Sequence, residues 1–83
     1  MCRNIKTLYN FDPPATDAEV REASLQFVRK LSGFQHPSKA NEHAFNVAVE
    51  KVTSDIKILL HSLNTNAIPH NREVEAKRAH AQH

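Results

Sequence analysis

The chain has 83 residues and a single cysteine, with 40% apolar and 24% charged residues and a net charge of +2. That length admits one domain, which buries about 60–65% of the surface its unfolded form exposes, so any core is small. The composition excludes a disordered chain or a disulfide-stapled mini-protein; no apolar run reaches the roughly 18 residues of a membrane span, and no secretory signal opens the sequence, so we expect a cytoplasmic protein.

In residues 4–11, Ile5, Leu8, Tyr9 and Phe11, with Asn4 as a cap, predict one or two helical turns packed on the core. Asp12-Pro13-Pro14 breaks that segment, because a residue before proline is pushed out of the α region. Thr16-Asp17-Ala18-Glu19 then reads as a capping box, with acids at the positive end of a helix. Val20, Ala23, Phe27, Val28 and Leu31 follow as one apolar stripe. Gly33 is a natural left-handed stop, so the pattern predicts a helix over Asp17–Ser32.

Pro37 and Ser38 restart the chain, with Ser38 or Asn41 as cap. Phe45, Val49, Val52, Ile56, Leu59 and Leu63 step by alternating fours and threes, while Ala44, Ala48 and Leu60 widen the stripe, predicting a second helix over residues 39–63. At roughly 37 Å it would outreach its partner. Leu59, Leu60 and Leu63 therefore need the N-terminal segment, the C-terminal tail or a second copy of the chain to cover them, and the last option predicts a homodimer through the long helix. Residues 64–69 form a turn cluster, and residues 71–81 are helix-permissive with Val74 as their one sizeable apolar side chain. The expected organisation is a single helical domain over residues 1–66 and a partly ordered tail over 67–83. Its fold class is all-α, an antiparallel helix pair with a short N-terminal helical segment packed on it.

Among residues able to do chemistry, Cys2 stands out by position, since loss of the initiator Met would leave a thiol with its own amine as base. An N-terminal-nucleophile hydrolase needs a β scaffold and an oxyanion hole that a helical chain does not supply. No catalysis is expected. The six histidines are His36, His43, His61, His70, His80 and His83. Their spacing places His80 and His83 three apart without Cys or carboxylate partners to complete a ligand set, so no metal or other cofactor is expected.

The remaining candidates are Arg29, Lys30, His36 and Lys39, a basic rim around the loop over residues 33–41. Arg29 and Lys30 also suit the negative end of the first helix. The pattern predicts a helical interaction module that binds a macromolecular partner, a protein in the first instance, through this rim or through the exposed end of the long helix. Nucleic acid is the alternative partner, although 11 Lys and Arg against 9 Asp and Glu, interspersed, form no basic stripe. One glycine in the chain also argues against a Gly-rich phosphate cradle.

Met1-Cys2-Arg3-Asn4-Ile5-Lys6, Pro13-Pro14-Ala15-Thr16, Phe27-Val28-Arg29-Lys30-Leu31-Ser32-Gly33 and Pro37-Ser38-Lys39-Ala40-Asn41 with Ala44-Phe45 together resemble a small bacterial family of uncharacterised proteins. The resemblance covers almost the whole chain and implies a protein class without an activity. In layout, Ile5 to Phe11, the helix opening at Thr16-Asp17-Ala18-Glu19, and His36-Pro37-Ser38-Lys39 before a long helix are similar to the J-domain of Hsp40 co-chaperones. That family's loop reads His-Pro-Asp and stimulates an Hsp70 ATPase. Here His36 and Pro37 match and Ser38 stands in place of the aspartate, so the similarity implies a helical hairpin and, at most, a degenerate chaperone partner.

Overall fold

A computed structural model describes residues 5–74 of the chain. Helix α1 spans Asp17–Ser32 and helix α2 spans Glu42–Ser62, with a 3-10 turn at Lys39–Asn41 leading into α2. Two short strands, β1 at Phe11–Asp12 and β2 at His70–Asn71, pair in parallel with Phe11 opposite His70 and Asp12 opposite Asn71.

Local chemistry sets the ends of α1 where the sequence predicts them. The Glu19 amide donates to Thr16 Oγ1 at 3.1 Å and the Thr16 amide donates to Glu19 Oε1 at 2.9 Å, completing the capping box. At the other end Gly33 turns left-handed, with φ 78°, and its amide reaches Arg29 O at 2.9 Å. The start of α2 differs in detail. Asn41 Nδ2 donates to Ser38 Oγ at 2.8 Å, and neither side chain caps a helix amide. The chain therefore tightens into a 3-10 turn before α2, whose 21 residues run roughly 31 Å.

The expected N-terminal helical segment is not present. Residues 5–8 carry no regular structure, Asn10 takes a left-handed φ of 63°, and the chain enters β1, where the His70 amide donates to Asn10 O at 2.8 Å. So short a helix ahead of Asp12-Pro13 gains too few hydrogen bonds to offset its nucleation, whereas the irregular chain lays Ile5 and Leu8 against residues of both helices. The Asp12–Pro13 peptide is cis. Asn4, the proposed cap, lies outside the described residues, as do Cys2, His80 and His83 and the tail positions beyond residue 74.

Helices α1 and α2 are antiparallel, as two surface ion pairs show: Asp17 meets Lys57 at 3.3 Å, and Arg21 meets Glu50 at 3.0 Å, so the partner number falls as the chain number rises. The buried rows are Val20, Ser24 and Val28 on α1 and Phe45, Val49 and Thr53 on α2. Each row follows the i, i+4, i+8 ridge, the ridge that interdigitates in the commonest class of helix packing. This rotates the contact away from the purely apolar stripe. Two hydroxyl residues enter the interface because each satisfies itself within its own helix, Ser24 Oγ donating to Val20 O at 2.9 Å and Thr53 Oγ1 to Val49 O at 2.6 Å. Val28, Phe45 and Val49 form the core cluster, with Leu25, Ala48 and Val52 packed against it. Phe27 and Leu31 are displaced to its flank and stay exposed.

Candidate functional site

The four rim residues predicted from the sequence gather at one end of the hairpin, where α1 stops and α2 has not begun. They do not share one role. Arg29 Nε donates to Gln35 O at 2.9 Å, which ties the loop back onto the last turn of α1. Arg29 is a brace. Lys30, His36 and Lys39 are exposed, and among the described residues none of them makes a hydrogen bond or ion pair. Ser32 Oγ accepts from the Phe34 amide at 3.2 Å, and the Asn41 amide donates to Ser38 O at 2.9 Å, so the loop backbone is pinned on both sides of His36.

Two apolar side chains share this tip. Leu31 is 73% exposed and Phe34 is 43% exposed. The spacing of Leu31 puts it on the core stripe, yet it lies in the final turn of α1 with its side chain exposed. The signal available in the sequence was its distance of two residues from Gly33. The tip thus offers two exposed apolar groups among the cations of Lys30 and Lys39 and the imidazole of His36, with Glu42, in the first turn of α2, as the neighbouring acid.

The opposite end of the molecule is closed by a clasp. Arg72 Nη2 donates to Glu19 Oε2 at 2.6 Å, its guanidinium lies 5.9 Å from the Phe11 ring, and the Phe11 and His70 rings stand 5.1 Å apart. Asn71 Oδ1 accepts from the Val74 amide at 3.0 Å and so caps the helical backbone that begins at residue 72. The Glu19 carboxyl is held below its ordinary value, first by the Arg72 hydrogen bond and next by the Thr16 amide, with burial opposing both.

This clasp and the N-terminal segment cover part of the long helix that the sequence left bare. Leu8, Phe11, Lys57, Leu60 and His61 are among the residues around one shared hollow of about 230 Å³. Leu59 and Leu63 remain 48% and 43% exposed. Among the described residues no three His, Cys, Asp or Glu side chains stand close enough together to hold a metal ion, and no helix is long and apolar enough to cross a membrane.

A family model described as an uncharacterised conserved protein, DUF2277, matches residues 1–78. No curated protein and no solved structure matches the chain.

Proposed function

The chain belongs to the DUF2277 family of uncharacterised conserved proteins, and from that premise we propose that it is a small helical interaction module whose hairpin tip docks a protein partner with an acidic and apolar surface. The observation that carries this reading is the exposure of Leu31 and Phe34 beside Lys30, His36 and Lys39 on a loop whose backbone is internally braced. Apolar groups supply the desolvation that drives association, and the cations supply steering and register. A pinned loop loses little conformational entropy on docking, which favours recognition by a preformed tip. We place the module in the bacterial cytoplasm, a reducing compartment that suits a chain with one cysteine.

The test is capture with a tagged full chain in three forms: wild type, Leu31→Ser with Phe34→Ser, and Lys30→Glu with Lys39→Glu. The reading expects one protein partner retained by the wild type and lost from both tip variants, with Lys51→Glu, on the exposed face of α2, behaving as wild type. Equal capture by all forms would refute it. Material released by nuclease, with affinity falling steeply as salt rises, would assign the tip to nucleic acid instead.

A further inference from the structure

We infer that the acidic and apolar partner of the tip is the clasp end of a second copy of this chain, so that copies associate head to tail. The inference rests on the reading of the tip as a docking surface and names its occupant.

Charge distinguishes the two ends of the hairpin. At the tip the cations Arg29, Lys30 and Lys39 stand against one acid, Glu42. At the clasp end the acids are Asp12, Asp17, Glu19 and Glu73, and the two cations there are already taken, Lys57 by Asp17 at 3.3 Å and Arg72 by Glu19 at 2.6 Å. Lys6 and Glu22, around a neighbouring hollow, balance each other. Asp12 and Glu73 are left as exposed acids whose side chains make no hydrogen bond or ion pair among the described residues. The strand register sets Asp12 opposite Asn71, two residues before Glu73, so both acids belong to one surface. Arg3, Glu75, Lys77 and Arg78 lie outside the described residues.

Each end also carries apolar groups that the fold leaves uncovered. The tip has Leu31 and Phe34, and the clasp end has Ile68, 88% exposed, with Val74 and Leu63. Pairing the two patches buries apolar surface while the tip cations meet Asp12 and Glu73, which fixes the orientation of the contact. Helix α2, 21 residues and roughly 31 Å long, separates the two ends, so no chain brings its tip to its own clasp. The contact therefore joins different copies. Because two unlike patches meet, the interface is heterologous, and each added copy presents a new free end.

Sedimentation of the purified full chain, from about 10 μM to about 1 mM, tests this. The wild type is expected to grow past the dimer as concentration rises and to lose association as salt rises. Leu31→Ser with Phe34→Ser removes the tip, and Ile68→Ser with Glu73→Lys removes the clasp end; each form alone is expected to be monomeric. All four positions are exposed, so both forms keep the fold. Mixed in equal amounts, the two forms are expected to give a one-to-one dimer and nothing larger, because one native tip then meets one native clasp end. A wild type that is monomeric at every concentration overturns the inference and leaves the tip to a different acidic partner, which the capture experiment detects separately. A mixture that stays monomeric, or association that salt leaves unchanged, overturns it as well. So does a dimer that both forms make alone and that Leu59→Glu dissociates, since two copies would then meet along the long helix.

Discussion

Glu19 and Arg72, 53 residues apart in sequence, meet at 2.6 Å and join the C-terminal segment to the first turn of α1. The same carboxylate closes the capping box with Thr16, so one side chain both starts a helix and anchors a strand. Their side chains are 27% and 32% exposed, enough shielding for the pair to contribute more than a surface ion pair of the Arg21–Glu50 kind.

This geometry predicts a pH dependence. The Glu19 carboxyl titrates below its ordinary value when folded, so its stabilisation is present above the unfolded carboxylate value and is lost as pH falls through the folded one. In urea unfolding, Glu19→Gln should be less stable than the wild type by about 1 kcal/mol near neutral pH, and the gap should close as pH falls below about 4. A gap that stays constant across that range would show that the contact is absent in solution.

Arg72→Met should release the clasp without melting the hairpin. The His70 amide, which donates to Asn10 O at 2.8 Å, is the reporter, and its hydrogen exchange should accelerate while amides in the middle of α1 keep their protection. Equal acceleration in both places would mean that the two units unfold together.

Core and flank substitutions should separate sharply. Phe45, 8% exposed, packs in the cluster with Val28 and Val49, and Phe45→Ala should destabilise by about 3–5 kcal/mol, a large share of the stability of so small a domain. Leu31→Ser, at an exposed position, should stay within about 0.5 kcal/mol. Both are read from urea midpoints at constant slope.

Gly33→Ala should destabilise by about 1 kcal/mol through its left-handed backbone alone, because a Cβ there meets nothing within 4 Å. Gly33→Asn should recover part of that loss in the same unfolding measurement, since asparagine tolerates the left-handed region.

Arg29→Lys should expose the difference between brace and rim. A lysine has no Nε–H in the guanidinium position to hold Gln35 O at 2.9 Å, so the Phe34 amide, which donates to Ser32 Oγ at 3.2 Å in the same loop, should exchange faster although the charge is kept. Lys30→Ala, which removes a charge without a contact, should leave that exchange unchanged.

Each end of α1 could be read from a few adjacent residues: the capping box at Thr16 and Glu19, and the stop at Gly33. Backbone conformations there are set within one turn, so sequence determined them. The restart near Ser38 and Asn41 was legible as a position, but the two side chains bond each other, and the choice of a 3-10 turn followed from that contact. The rim residues were legible as a cluster. That Arg29 braces the loop while Lys30, His36 and Lys39 face solvent depended on where the Gln35 carbonyl came to rest.

Apolar periodicity told which segments are helical and that two helices must pack, because burying a stripe is the one way such segments are stabilised. It did not tell which row of each stripe would meet. Ser24 and Thr53 occupy the interface because small, internally bonded residues let two ridges approach, and Phe27, Leu31 and Leu59 are left outside as a result. Nor could spacing reveal that residues 5–12 would be non-helical, with Phe11 and Asp12 paired to His70 and Asn71, since that pairing joins segments almost sixty residues apart. Local hydrogen bonding and helical periodicity were the sequence's own to determine; the exposed tip and the clasp arise from long-range packing, which only the tertiary structure decided.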